Sequence, residues 1–230
     1  LNRLFGKIKP SAIEHGAKTV SASYSGIEYE PIQTTGEYIK SIGGLYFYAA
    51  GNDQRDLSSF DFNDVIIVGA SEYSDERAYF SAYGHAVDVF APGYDILSSC
   101  AGGGYCSALG TSMATPVANG VASLIWSINP ALTPTQVEQI LFTSCQDLGV
   151  AGDDDFFGWG RVDVLNAALA AAATLSCPSD FDGDGFVTGD DFDAYVSAFE
   201  AGSLAADFDG DGFVTGDDFD AYVLAFEGGC

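Results

Sequence analysis

The stretch Ala108–Trp126, ALGTSMATPVANGVASLIW, decides how the rest of the chain reads. A glycine-bearing turn leads into a long apolar run, and Ser112 stands where the run begins. The run predicts a helix buried on most of its faces. Ser112 therefore opens a helix, where backbone N–H groups lack intrahelical partners and the helix dipole is positive. Serine caps helices commonly for that reason alone. A serine hydroxyl placed there is also a candidate nucleophile, provided a base takes its proton and a third group orients the base.

Working outward, AKTVSASYS holds a strand over Thr19–Ser23, and TTGEYIKSIGG reads as a helix ending in glycine. LYFYAAGND is a buried strand running into a turn, and DVIIVGAS and AVDVFAPG are further apolar strands. TPTQVEQILFTSC carries a capping box, with Thr133 as N-cap, Pro134 at the first helical position and Gln136 at the third. Strands alternating with helices predict an α/β fold with a parallel sheet covered on both faces. Ligands of such sheets gather at the carboxyl ends of the strands. Asn52 lies just past one such end.

The 230 residues carry 8 Lys+Arg against 33 Asp+Glu, a net charge of -25, which disfavours nucleic acid and anionic membrane as partners. No apolar run is long enough to span a bilayer. The acid is uneven: Cys177–Cys230 holds 14 acidic residues and no Lys or Arg. The composition changes at AALAAAATLSCPSD, which places a domain boundary near Ser176. Residues 1–175 form one expected domain and 177–230 a second.

The second domain is an internal repeat. DFDGDGFVTGDDFDAYV occupies Asp180–Val196 and recurs letter for letter at Asp207–Val223. Read as a 12-residue calcium loop, the first copy offers Asp180, Asp182, Asp184, the Phe186 carbonyl, Thr188 and Asp191 as ligands. The second offers Asp207, Asp209, Asp211, the Phe213 carbonyl, Thr215 and Asp218. Alternate side chains at the start of such a loop converge on one point, Gly at position 6 permits the turn, and a carboxylate at position 12 closes an all-oxygen shell suited to Ca²⁺. A helix follows each loop, with stripes Phe192, Tyr195, Val196, Phe199 and Phe219, Tyr222, Val223, Phe226. The two stripes should pack face to face, and Val187 and Val214 are expected to join the loops through a short bridge.

This repeat resembles a dockerin, a duplicated EF-hand-like calcium module. The resemblance implies a cohesin-like or cell-surface docking partner. The chain departs from it in the partner-facing positions, where Gly189-Asp190 and Gly216-Asp217 stand and no basic residue follows. Among five cysteines, a Cys177–Cys230 bridge would clip the module's ends, Cys100 and Cys106 flank a turn suited to a short bridge, and Cys145 is left over as a free thiol or for a partner elsewhere. Calcium loops and disulfides together point to an extracellular, secreted protein.

The first domain resembles the subtilisin-like serine proteases. GTSMATP (Gly110–Pro116) matches the nucleophile motif and AAGND (Ala49–Asp53) the oxyanion segment. The resemblance implies Ser112 as nucleophile and Asn52 as oxyanion donor. TVSASYSG (Thr19–Gly26) matches the strand lining the cleft, which implies Ser23, Tyr24 and Ser25 as substrate-binding residues. VDVFAPG and GWGRVDVLNAA fit later segments. Ser21 departs from the asparagine usual there.

That family orders its triad Asp, His, Ser, yet only His15 and His85 exist here and the first Asp is Asp53. His15 sits in EHGAKTV and His85 in AYGHAVDV, both reading as turn or cap histidines. The expectation is a three-layer catalytic domain incomplete at its N-terminus. The parent would be a serine endopeptidase acting on protein or peptide substrates, while this chain alone is inactive. The alternative is a pseudoprotease acting as a calcium-dependent extracellular binding or anchoring protein. An α/β esterase is a third reading, but it would want a second glycine after Ser112.

Overall fold

The computed structural model describes residues 10–24, 26–28, 31–175 and 177–228. The chain divides into two compact units, 1–172 and 173–230.

In the first unit, strands β1 (Thr19–Ala22), β2 (Leu45–Ala49), β3 (Ile66–Ser71) and β4 (Val89–Pro92) form a parallel sheet in the order β1-β2-β3-β4. Helix α1 (Pro31–Ser41) crosses from β1 to β2. Every residue of β2 and β3 is buried, so these strands read as continuous apolar runs rather than alternating ones. The period of two still sorts their side chains. Leu45, Phe47, Ile66 and Val68 face one core with α2 (Thr111–Ile128), α3 (Pro134–Thr143) and α4 (Val164–Ala172). Tyr46, Tyr48 and Ile67 face the other, with Ile32 and Ile39 of α1. The result is helix, sheet and helix in three layers. Gly69 keeps β3 against its neighbour, since a Cβ there would lie 2.4 Å from the Phe90 ring.

Helix α2 spans the sheet, burying Ala114, Ala118, Val121, Ala122 and Ile125. The Trp126 indole N–H donates to the Leu132 carbonyl at 2.8 Å, fixing the turn into α3. That helix opens with the expected Thr133–Gln136 capping box. A two-stranded hairpin, β5 (Ile96–Ser99) and β6 (Tyr105–Ala108), precedes α2 and is bridged by a Cys100–Cys106 disulfide. Cys145 is free, and burial pushes its thiol up to about 12, so it is inert at neutral pH.

The second unit holds α5 (Gly189–Glu200), a 3₁₀ turn (Leu204–Ala206) and α6 (Gly216–Gly228). Tyr195 and Tyr222 stack with centroids 3.7 Å apart and planes within 8°. Their hydroxyls donate to the Ala206 and Ser179 carbonyls, so the polar tips of this small core are satisfied. Phe192, Phe199, Phe219 and Phe226 pack around them, as do Phe181 and Phe208 from the loops. Among the described residues no β-bridge joins Val187 to Val214. Val214 packs against the aromatic cluster instead. Cys177 is disulfide-bonded, and its expected partner Cys230 lies outside the described residues.

Candidate active site and acidic loops

Ser112 is the second residue of α2, and Asn52 follows the carboxyl end of β2. A single side chain ties the two together. Asn52 Oδ1 accepts from the Thr111 backbone N–H at 2.8 Å and from the Thr111 hydroxyl at 3.1 Å. The Thr111 hydroxyl in turn accepts from the Gly51 N–H at 3.1 Å. This fixes the Asn52 amide plane and directs Nδ2 away from Thr111. Neither Asn52 Nδ2 nor the Ser112 N–H has a hydrogen-bond partner among the described residues.

Both nitrogens lie beside Gly110. Its φ of +146° disfavours any side chain, and a Cβ there would lie 3.2 Å from Asn52 Nδ2 and 3.6 Å from the Ser112 nitrogen. Two unpaired donors close to one another and to a hydroxyl are what a developing oxyanion requires.

Ser23 lies just past β1. Its hydroxyl donates to the Ser112 carbonyl at 2.8 Å, while the Ser112 hydroxyl donates to the Ser23 carbonyl at 3.4 Å. Tyr24 lines a cavity of about 400 Å³ that also borders Asn52, Thr111 and Ser112. Ser25 lies outside the described residues. Reasoning from sequence passed over Thr111, though a hydroxyl beside Ser112 on a helix start was the signal. It also passed over Glu28, Asp53 and Arg55, which line the same cavity.

Neither histidine borders this cavity. His15 Nδ1 pairs with the Ser11 carbonyl at 2.7 Å, one turn back along the chain. His85 Nδ1 lies 3.6 Å from Asp155 on the exposed surface.

In the acidic loops, Asp180, Asp182 and Asp184 bring ligand atoms within 4.8 Å of one another, as do Asp207, Asp209 and Asp211. Asp191 and Asp218 do not join these groups. Each is buried and caps the helix that follows, Asp191 accepting from the N–H groups of Thr188 and Asp182, and Asp218 from those of Thr215, Asp209 and Phe208. A carboxylate at the third helical position reaches back to the backbone of its own N-cap. Those backbone bonds hold both capping carboxyls below the usual range, Thr188 and Thr215 contributing most. For Asp182, the Asp184 N–H pulls downward, but desolvation and the charges of Asp184, Asp191 and Asp180 outweigh it and leave the carboxyl raised. Thr188 and Thr215 serve as N-caps, their hydroxyls accepting from the N–H groups of Asp190 and Asp217. Phe186 and Phe213 are exposed.

The Subtilase family model, a family of peptidases, matches residues 6–160. The chain is 31% identical over 189 residues to the cell wall-associated protease of Bacillus subtilis strain 168, covering 71% of this chain and 21% of that protein. It is 34% identical over 148 residues to proteinase R of Parengyodontium album, covering 63% and 37%. The chain thus spans well under half the length of these relatives. A solved lanthipeptide protease shares the fold, with a TM-score of 0.66 and 22% identity over 74% of this chain and 66% of that one. Among the described residues, no helix is long and apolar enough to cross a membrane.

Proposed function

Because the chain belongs to the subtilase family, we propose that it carries the nucleophile-bearing part of a secreted serine endopeptidase, joined to a dockerin-like, calcium-binding docking module. The observation that carries the first half is the pair of donors without a partner among the described residues, Asn52 Nδ2 and the Ser112 N–H, both lying beside Gly110 next to the Ser112 hydroxyl. Ser112 Oγ attacks a peptide carbonyl and surrenders its proton to a base. The carbonyl oxygen, now negative, is held by the two donors, and Thr111 keeps Asn52 in place. Loss of one such donor typically costs about 10²–10³ in turnover, a figure measured on the matching asparagine of a subtilisin.

The base and its orienting carboxylate come from residues other than these 230. Neither His15 nor His85 borders the cavity, which supports the reading that the chain by itself is inactive. The same observation supports a second reading, a pseudoprotease that anchors rather than cuts. Hydrolysis of a chromogenic peptide separates the two. It is measured on this chain, on the chain joined to the residues encoded on its N-terminal side, and on Ser112→Ala in both. The endopeptidase reading expects turnover from the joined protein only, abolished by Ser112→Ala. An inert joined protein favours the pseudoprotease. Ser112-dependent turnover by this chain alone would make His15 or His85 the base.

For calcium, the donor set fits the ion. Each loop gathers three carboxylates within reach of one point, and Asp207 Oδ1 is buried without a hydrogen-bond partner. Hard oxygen donors and no nitrogen or sulfur suit Ca²⁺ over transition metals. Asp180, Asp182 and Asp184, with the Phe186 carbonyl, Thr188 and Asp191, would hold one ion, and Asp207, Asp209, Asp211, Phe213, Thr215 and Asp218 the second. The ion's part is structural, drawing like charges together. A cohesin-like or cell-surface partner is the docking target. An extracellular setting is supported by the Cys100–Cys106 disulfide and by the cell wall-associated relative.

A further inference from the structure

Each acidic loop is tied to the helix of the other copy. The Tyr195 hydroxyl of α5 donates at 3.2 Å to the Ala206 carbonyl, one residue before Asp207, the first carboxylate of the second loop. The Tyr222 hydroxyl of α6 donates at 3.3 Å to the Ser179 carbonyl, one residue before Asp180, the first carboxylate of the first loop. Both rings are fully buried and stack on one another. Phe181 and Phe208, the second residues of the two loops, each pack edge-on against both tyrosines. Each tyrosine also stands one helical turn after the capping carboxylate of its own helix. That carboxylate, Asp191 or Asp218, accepts from N–H groups of its own loop.

We propose that Tyr195 and Tyr222 are positioning residues for calcium, each for the loop of the opposite copy, and that they make the two ions bind cooperatively. The inference rests on the calcium reading of the loops. An ion in the first loop draws Asp180, Asp182 and Asp184 together and steadies the backbone that Asp191 holds. That fixes the start of α5, then Tyr195 one turn on, then the Ala206 carbonyl. Asp207 follows directly. Its Oδ2 accepts from the Gly212 N–H at 2.8 Å, and its Oδ1 is buried without a hydrogen-bond partner. Holding the backbone here therefore aims a carboxylate oxygen that is left for an ion. The same contacts run back from Asp218 through Tyr222 and Ser179 to Asp180, whose oxygens accept from the Gly183 and Gly185 N–H groups. The first ion to arrive orders both helices and the stack, so the second has less to order and binds more tightly. The coupling is the same in either order. No β-bridge joins the loops among the described residues, which leaves the two tyrosines to carry it. Charge alone predicts the reverse. The first ion cancels part of the charge of the unit's 14 acidic residues and weakens the pull on the second.

The test follows each loop by itself. The full ¹⁵N-labelled chain is titrated with calcium chloride, and the amides of Gly185 and Gly212, one in each loop, are read separately. In the parent the two curves should coincide and rise more steeply than single-site binding, the second ion binding about tenfold tighter than the first. Tyr195→Phe removes one hydroxyl and keeps the stacked ring. It should hold the Gly212 curve back to about threefold higher calcium than the Gly185 curve, or more, as the loss of one hydrogen bond predicts. Tyr222→Phe should reverse that order. The double variant should bring the curves together again at higher calcium, with a single-site slope. A stack that served stability alone would weaken both loops alike in either single variant. Curves that stay superposed in both single variants therefore overturn the inference and leave the calcium reading standing, as does a parent whose second ion binds no more tightly than its first. Shifts at neither amide at millimolar calcium overturn the calcium reading and the inference with it.

Discussion

The Ser23 hydroxyl donates to the Ser112 carbonyl at 2.8 Å, and that carbonyl is the one Pro116 leaves unpaired. In an α-helix the N–H of residue 116 would bond the carbonyl of residue 112, but proline has none. Pro116 nonetheless lies inside α2. The loop after β1 thus supplies the hydrogen bond that the helix lacks, and the Ser112 backbone is pinned to it. Ser23→Ala should destabilise the first unit by about 1 kcal/mol, the usual net worth of one hydrogen bond. In a domain of this size that lowers Tm by roughly 2–4 °C. Thermal unfolding of the two proteins decides it, and unchanged stability would mean that water replaces Ser23.

Gly110→Ala tests whether the open point between the donors needs to stay open. The φ of +146° strains an alanine, and its Cβ would press on Asn52 Nδ2. A sparsely populated backbone costs about 1–3 kcal/mol, so the unfolding midpoint in urea should fall accordingly. In an active form of the protein, turnover should fall further than KM rises, because the intrusion is at the transition-state oxygen. A variant with normal stability and normal turnover would contradict the geometry assigned to the two donors.

Much of this was legible in the sequence, and the limits were physical. The long apolar run of Val121–Trp126 and the unbroken strand LYFYA fixed a three-layer α/β unit, because only burial on both faces tolerates them. The serine motif marked Ser112 and Asn52. Counting back from Pro116 names the Ser112 carbonyl as the unpaired one, but a linear reading does not display that the Ser23 hydroxyl meets it. Arg55, Glu28 and Asp53 lie on different segments and become a pattern only when the chain folds. In the repeat, the 27-residue period and the loop spacing located the carboxylates. That Asp191 also caps its own helix, accepting from the Thr188 N–H, is a contact the loop spacing alone does not display.

Asp88 gives the first unit a pH dependence. Desolvation raises its carboxyl well above the usual range, Glu138, Asp153 and Asp61 adding to the rise, against the Ile67 N–H that donates to it at 2.7 Å. A raised folded pKa means that the folded state binds the proton more tightly than the unfolded one. The stability this contributes is complete below the ordinary aspartate pKa and is lost as pH rises through the raised value. Asp88→Asn, which stays neutral, should therefore be more stable than the parent at pH 8, with the gap closing toward pH 4. Urea midpoints of both proteins across that range measure the difference. A variant less stable at pH 8 would show instead that a counter-ion holds the charged carboxylate.

The acidic repeat should bind two calcium ions and gain helix as it does so. Asp180, Asp182 and Asp184 crowd within 4.8 Å, as do Asp207, Asp209 and Asp211. Each such pair repels by about 1–4 kcal/mol at effective dielectrics between water and a protein surface. The unit's 14 acidic residues have no basic residue to offset them, so binding free energy becomes folding free energy. Aspartate at position 12 is shorter than glutamate, which predicts affinity toward the weaker, extracellular end of the calcium range. Calorimetric titration of the full chain should show both sites, and Asp182→Ala should remove one. Asp191→Asn separates two roles for the capping carboxylate. If Asp191 only caps α5, the variant loses about 1 kcal/mol of helix stability and keeps the ion. If the carboxylate swings onto the ion when calcium arrives, the variant loses the first site as Asp182→Ala does. Circular dichroism before and after chelator completes the test: a helix signal indifferent to chelator at millimolar calcium would show that the stacked Tyr195 and Tyr222 core folds the unit without the ion.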